Sequence, residues 1–175
     1  MTLPLADLVL ILPELLIVGM ACLILVLDPI TPAHKKDLLA WMSLGILVVG
    51  SVVTVSGFGE RVMAFSDLVV VDSYAVFWKM LLYLVSGLTI LLSMGYLKEE
   101  KIQLAEYYAF VLLALAGMMV MVSGADLLTI YLGIELMSIT LYIMAGFKRF
   151  ELRSIESSAK YFVLGAFSSG ILLYG

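Results

Sequence analysis

Six long runs of apolar residues, separated by short polar segments, constrain this chain more than any other feature. A membrane-spanning helix needs about 20 apolar residues, because the hydrocarbon core of a bilayer is about 30 Å thick. Only 14% of the 175 residues are charged, whereas a soluble domain carries about 25%. The sequence therefore predicts an all-α, polytopic transmembrane helical bundle, with residues 1–175 forming a single transmembrane domain. The five complete runs are Leu8–Leu27, Leu38–Val55, Ala75–Tyr96, Ala105–Val122 and Leu127–Phe147.

A sixth apolar run begins near Ala159 and is still apolar at Gly175, where the sequence ends. No polar flank follows Tyr174, which is the pattern expected of a helix whose chain continues. The fold prediction is thus five complete helices and a truncated sixth.

Basic residues in the connecting segments predict the orientation, because cytoplasmic loops are enriched in lysine and arginine. The loops after the first, third and fifth helices contain seven basic residues, and the opposite side contains only Arg61. These loops are therefore predicted to be cytoplasmic, with the N-terminus outside. The seven residues are Lys35, Lys36, Lys98, Lys101, Lys148, Arg149 and Arg153.

Two segments on the predicted outer side have the composition or length that is typical of turns. Residues 56–74 contain glycines and the β-branched run Val69-Val70-Val71, a composition that favours a short β-hairpin. Residues 123–126, "SGAD", leave room only for a tight turn between two antiparallel helices.

Glu135 is the most unusual residue, because it lies inside the apolar stretch "LLTIYLGIELMSITLYIM", residues 127–144. Its position is about 12 Å from the outer end of the predicted helix and about 18 Å from the inner end. An ionised carboxylate at such depth costs about 2.5–3.5 kcal/mol on insertion scales. Spacings of four, three and four place Tyr131, Glu135, Ser138 and Tyr142 on one helical face. The pattern favours a charge or proton pathway over a permanently protonated glutamic acid that only hydrogen-bonds a neighbouring helix.

Three other ionisable residues near or within the apolar runs allow both structural and functional interpretations. If the sixth helix starts near Ile155, Lys160 lies about 7 Å from its start, and its ammonium group could extend to the lipid headgroups. Lys160 would then be about 10 Å from Glu135 along the membrane normal, too far for a direct ion pair. Lys79, near the outer interface, could extend in the same way. Glu14, beside Pro13 in the predicted first turn of a helix, is expected to interact with the helix dipole.

Metal and nucleotide chemistry has little support in this sequence. The single cysteine, Cys22, and the single histidine, His34, form no ligand cluster. The GxxxxGK[ST] phosphate-binding motif is absent, and Gly57-Phe58-Gly59 lacks the third glycine of a dinucleotide-binding motif. Any nucleotide chemistry is therefore expected on another chain.

Four stretches carry a resemblance to a known family. The segments "GMMVMVSGADLLTIYLGIELMSITLYIMAGF" and "SIESSAKYFVLGAFSSGILLYG" are the most specific, and "LPELLIVGM" and "VVDSYAVFWKM" add to them. Together they resemble subunit N of the bacterial proton-translocating NADH–quinone oxidoreductase, respiratory complex I, an antiporter-like membrane subunit. The stretch "ESSAKYFVLGAFSSG" is more similar to subunit N than to the related antiporter-like subunits.

The resemblance implies a role in coupling quinone reduction to proton translocation. Glu135 matches the family's fifth-helix glutamate, and Lys160 matches the lysine that opens the sixth helix. Tyr131, Ser138, Tyr142 and Lys79 are candidate supporting polar residues. The family has two inverted repeats with discontinuous helices, and this chain is expected to end inside the first, so that no complete proton path can be drawn on it.

The resemblance also implies where this chain works and with what. The expected location is the bacterial cytoplasmic (inner) membrane. The expected partners are the lipid bilayer and other membrane subunits of complex I, including antiporter-like subunits, with no nucleic acid. No cofactor is expected on this chain, since NADH, FMN, iron–sulfur clusters and quinone belong to other parts of the complex.

Two alternative functions remain open at this point. The chain could belong to a multisubunit cation/proton antiporter, which shares the repeat and the glutamate. It could also be a non-transporting membrane scaffold in which polar groups only hold helices together.

The charge distribution gives a testable topology. A tag at the N-terminus should be accessible from outside the cell, and a tag at Lys98 should be accessible only from the cytoplasm, because basic loops remain inside. Accessibility labelling in intact cells and inverted vesicles distinguishes the two sides. Labelling of both tags from the same side would show that the helix count is wrong.

Overall fold

The computed structural model of the chain describes residues 5–32, 36–56, 59, 61–100 and 104–175. These residues form seven helices and one β-hairpin, which confirms the polytopic helical fold. His34, Lys35, Lys101, Gly57 and Phe58 lie outside the described residues. The elements are α1 Leu5–Leu10, α2 Leu12–Leu27, α3 Asp37–Val55, β1 Val62–Ala64, β2 Val69–Val71, α4 Ser73–Glu99, α5 Glu106–Ser123, α6 Leu127–Ala145 and α7 Leu152–Tyr174.

Four of the described helices, α3 to α6, are long and apolar enough to cross a membrane. Helix α2 is also apolar but has only 16 residues. The apolar run Leu8–Leu27 is not one continuous helix, because the chain breaks at Ile11 between α1 and α2. Pro13 explains the break: a proline within a helix removes a backbone donor and clashes with the carbonyl four residues earlier. It lies instead in the first turn of α2, as predicted.

The last helix begins earlier than its apolar run does. Helix α7 starts at Leu152, before the assumed helix start near Ile155 and before the apolar run begins near Ala159, because its polar first turns are held against the end of α6. The Ser154 hydroxyl donates to the carbonyl of Ala145, and the Ser158 hydroxyl donates to the carbonyl of Tyr142. Lys160 is consequently about 12 Å from the helix start, compared with the predicted 7 Å.

Helix α5 is the centre of the bundle, and its contact with α6 is the closest between any two described helices. A Cβ atom at Gly117 would lie 2.6 Å from the backbone nitrogen of Met137, and one at Gly133 would lie 2.7 Å from that of Met121. Glycine at both positions therefore lets the two backbones touch, as small residues do in membrane bundles. The tight turn predicted at residues 123–126 joins them, and the Asp126 side chain caps α6 by accepting from the amides of Leu128 and Thr129.

The predicted hairpin is present and connects two other segments at the predicted outer side. Strands β1 and β2 pair antiparallel, with Met63 opposite Val70. The backbone amide of Phe65 donates to the Asp7 carboxylate, and the carbonyl of Leu68 accepts from the amide of Ala125. The hairpin therefore holds the α1 segment and the α5–α6 turn together.

Ion pairs connect the opposite, predicted cytoplasmic, ends of the helices. Asp28 is buried at the end of α2, where it binds Lys36 and accepts from the backbone amide of Ala105 at the start of α5. Lys98 binds Asp37, which joins α4 to α3. Lys148, after α6, binds Glu100, and this hydrogen bond is the main cause of the raised pKa of Lys148. The basic loops are thus neighbours in the fold.

The close contact between Gly133 and the α5 backbone predicts that one added methyl group destabilises the protein. Gly133→Ala in the full-length protein should lower stability by about 1–3 kcal/mol, because the added Cβ would overlap the α5 backbone. Gly19→Ala is the matched control, since a Cβ there has nothing within 4 Å. Thermal denaturation of the purified proteins in detergent compares them. Equal midpoints for the two variants would contradict the importance of the α5–α6 backbone contact.

Candidate functional site

Glu135 lies half-buried in the outer half of α6. It is eight residues, about 12 Å, from the start of the helix at Leu127 and ten residues, about 15 Å, from its end at Ala145. Its Oε1 atom is buried and has no hydrogen-bond partner among the described residues. Neighbouring Tyr131, one turn earlier, interacts with it electrostatically. A buried polar atom without a hydrogen-bond partner is energetically costly, so Glu135 is a candidate for a functional role.

The polar face of α6 points away from α5. Residues along an α-helix are rotated by about 100° from one to the next. Gly133 and Met137 face α5, so Glu135, which lies between them, is on the opposite side. Tyr131, Ser138 and Tyr142 share that side with Glu135, as the spacing predicted.

Tyr142 shows what this face of α6 contacts. Its ring packs edge-on against Tyr161 and Phe162 of α7, with ring centroids 4.7 Å and 5.8 Å away. Its hydroxyl lies directly over Gly165, where a side-chain carbon would overlap it. The polar face that contains Glu135 is therefore the face that packs against α7.

Lys160 lies on the side of α7 away from α6, because it is two residues, about 200°, from Ser158, which contacts α6. It is not paired with Glu135 among the described residues. Its ammonium group binds the carboxylate of Glu156, one turn earlier in the same helix, and its side chain is 69% exposed. Glutamate four residues before lysine is the favourable arrangement for such a pair on a helix. The structure thus brings the two predicted residues onto neighbouring helices without joining them.

The hydrogen bond between Ser158 and Tyr142 shows how α6 and α7 are aligned along their axes. It therefore shows how far apart Glu135 and Lys160 lie in that direction. Lys160 lies two residues beyond Ser158, and Glu135 lies seven residues before Tyr142. The two residues are therefore separated by roughly 7–10 Å along the helix axes, close to the separation derived from the sequence. Because Lys160 also projects from the side of α7 opposite Ser158, a rotation of α7 or an intervening polar group would be needed to connect them.

A second ionisable site lies across the bundle, at two residues whose pairing the sequence pattern did not predict. Lys79 binds Glu14 with 2.6 Å between Nζ and Oε1, and the two side chains are 3% and 9% exposed. The interpretation of Lys79 as a side chain extending to the interface is therefore wrong. Glu14 does lie in the first turn of α2, but its carboxylate is bound by a lysine of α4 rather than only by a helix dipole.

Sequence reasoning could have found this pair only in part. Glu14 and Lys79 are opposite charges within apolar runs, near helix ends on the same predicted side of the membrane. That pattern is compatible with pairing. The contact between α2 and α4 that brings them together joins residues 65 positions apart, and no local pattern specifies it.

Comparisons with known proteins agree with this architecture. A family described as "NADH:quinone oxidoreductase/Mrp antiporter, TM" matches residues 124–175, the segment that contains Glu135 and Lys160. NADH-quinone oxidoreductase subunit N of Trichlorobacter lovleyi is 43% identical over 165 residues, which cover 94% of this chain and 34% of that protein. Subunit N of Maricaulis maris is 45% identical over 170 residues, which cover 97% of this chain and 35% of that protein.

The chain belongs to the NADH-quinone oxidoreductase subunit N family. It spans about a third of the length of the curated members that it matches. Solved structures agree on the fold. A chain of respiratory complex I from Thermus thermophilus superposes with a TM-score of 0.72 at 23% identity, over 93% of this chain and 35% of that one. A chain of an archaeal membrane-bound sulfane sulfur reductase superposes with a TM-score of 0.78 at 19% identity, over 96% and 36%.

Proposed function

We propose that this chain is part of a membrane subunit of an NADH–quinone oxidoreductase, in which Glu135 takes up and releases protons during turnover. The observation that carries the proposal is the buried Oε1 atom of Glu135, which has no hydrogen-bond partner among the described residues. This atom lies in the segment that matches the antiporter family. The similarity to curated subunit N proteins indicates the enzyme in which Glu135 would act.

The environment of Glu135 makes its charge responsive to small movements. Burial in an apolar helix bundle favours the neutral carboxylic acid, whereas a lysine within about 4–6 Å favours the carboxylate. A cation that approaches Glu135 therefore drives a proton off it, and withdrawal of that cation draws a proton back. Coupling then requires only that quinone reduction elsewhere in the enzyme controls the approach of the cation.

Lys160 is the proposed basic group on the neighbouring helix. In this structure it is held by Glu156, so that its charge is balanced while Glu135 lacks an ionic partner. Rotation of α7 that carries the Lys160 ammonium group from Glu156 towards the α6 face would change the field at Glu135. Tyr131, Ser138 and Tyr142 line that face and would carry protons between the two sites through hydrogen bonds.

The proposed setting is the bacterial inner membrane, within a larger complex. The long apolar helices support the membrane location. Other membrane subunits, including antiporter-like ones, would cover the exposed apolar side chains of α7, such as Phe167 and Leu172. NADH oxidation and its cofactors, FMN and iron–sulfur clusters, as well as quinone reduction, are assigned to other parts of that complex.

One other function has a specific observation in its favour. The description of the matching family names Mrp antiporters alongside NADH:quinone oxidoreductases, and an antiporter would use the same buried glutamate. The curated relatives named subunit N favour the oxidoreductase. Co-purification of NADH–quinone reductase activity with the tagged full-length subunit distinguishes the two enzymes.

The substitution Glu135→Gln tests the proposed role, because it keeps the shape of the side chain but removes its titration. The complex should assemble, and NADH-driven proton translocation in membrane vesicles should fall by about tenfold or more, since a positioned proton-transfer group contributes about 10²–10⁴ to its step. Glu135→Asp should have a smaller effect because a carboxyl group remains.

The matched control is Glu99→Gln, which neutralises an exposed glutamate at the end of α4. It should leave translocation unchanged. Normal proton translocation by a fully assembled Glu135→Gln complex would contradict the proposal and favour the scaffold interpretation, in which Glu135 only hydrogen-bonds a neighbouring helix.

A further inference from the structure

The ion pair between Glu14 and Lys79 is the most deeply buried charged contact among the described residues. It is enclosed by this chain alone: Glu14 is 7% exposed and Lys79 is 2% exposed as whole residues. Lys79 Nζ binds Oε1 of Glu14, whereas Oε2 of the same carboxylate is buried and has no partner among the described residues. The carboxylate is thus stabilised on one oxygen only.

A purely structural role explains this pair poorly. Removing two charges from water is expensive, and buried ion pairs can often be replaced by apolar residues without loss of stability. The pair also leaves Oε2 of Glu14 unsatisfied, and an unsatisfied buried polar atom costs about 1–3 kcal/mol. A helix contact that needed only adhesion would be served as well by two leucines.

The two groups lie at different depths. Glu14 is two residues, about 3 Å, from the start of α2, whereas Lys79 is six residues, about 9 Å, from the start of α4. Both starts are at the predicted outer side. Lys79 is therefore on the inner side of the pair, and the unpartnered Oε2 belongs to the outer group.

Other polar groups continue the buried face of α4 inward from Lys79. Tyr83, one turn deeper, is buried and interacts electrostatically with Glu14. Its hydroxyl is 3.1 Å from Oγ1 of Thr54 on α3. Ser86 and Ser93 are buried farther along the same face, and the Ser93 hydroxyl donates to that of Tyr107 on α5. Polar atoms thus reach from the middle of the bundle to Lys79.

We infer that Glu14 and Lys79 form a second proton-transfer site, which passes protons towards the outer face. In the transfer, an N–H bond of the Lys79 ammonium breaks and an O–H bond forms on Glu14, so that both groups become neutral. Glu14 then gives its proton to solvent on the outer side and becomes a carboxylate again. Lys79 takes up a proton from the inner side, which restores the ion pair.

This site is distinct from Glu135. Glu14 and Lys79 are contributed by α2 and α4, whereas Glu135 lies on the face of α6 that points away from α5. The inference rests on the proposed function, since it assigns the pair to the same proton translocation. The experiments below therefore test the Glu14–Lys79 pair and the proposed function separately.

The substitution Lys79→Arg separates proton transfer from charge pairing. A guanidinium group stays protonated and can bind both carboxylate oxygens of Glu14, so that the contact between α2 and α4 is kept while proton release is lost. In membrane vesicles that contain the full complex, Lys79→Arg should assemble and should lower proton translocation by about tenfold or more. Normal translocation by this variant would overturn the inference.

A second variant tests the same site without the larger arginine side chain, which can prevent assembly for steric reasons alone. Glu14→Leu combined with Lys79→Met removes both charges with little change in volume, and it should again assemble with translocation lowered to a similar extent. The control is Asp37→Asn combined with Lys98→Met. In the native protein these two residues form an ion pair with the same 2.6 Å distance between nitrogen and oxygen, but their side chains are 51% and 62% exposed. This control should translocate normally. If neither test variant assembles, the pair is structural and the inference is wrong.

The two proposals fail in different ways. A complex in which Glu135→Gln is impaired and Lys79→Arg is normal retains the proposed function and loses the second site. A tagged full-length subunit that purifies without NADH–quinone reductase activity removes the proposed function itself.

Discussion

The cost of placing an ionisable group in hydrocarbon governs this structure. Each such group must be paired, brought to an interface or kept neutral. The chain meets this requirement in three ways: Lys79 is paired with Glu14 in the interior, Lys160 is held by Glu156 on an exposed helix, and Glu135 is half-buried with an unpartnered oxygen. Of these three, only Glu135 has no ionic partner among the described residues, and for this reason Glu135 is the centre of the proposed mechanism.

The packing of α5 separates these sites in space. The glycine contact between Gly117 and Gly133 fixes α6 against α5 at the level of their backbones, which leaves little freedom to rotate. The polar face of α6 is consequently directed towards α7. The opposite side of α5 packs with α2 and α4, which contribute Glu14 and Lys79. One helix therefore lies between two candidate proton-handling sites.

Local patterns were sufficient for the parts of this fold that depend on neighbouring residues. The apolar runs predicted the membrane helices, and the valine run predicted β2. The spacing of polar residues predicted the polar face of α6. The break at Ile11 follows from Pro13, whose effect on helix continuity was not drawn from the sequence. The Glu14–Lys79 pair and the early start of α7 were missed because they depend on contacts between helices. Such contacts are set by side-chain packing that a hydropathy pattern does not encode.

The central claim is that Glu135 changes its protonation state during turnover. Infrared difference spectroscopy of the full-length complex, triggered by reduction with NADH, detects such a change as a carboxylic acid carbonyl band that appears or disappears. The account predicts a band in the native complex that is absent from the Glu135→Gln complex and retained in the Glu99→Gln complex. Identical difference spectra for the native and Glu135→Gln complexes would contradict it.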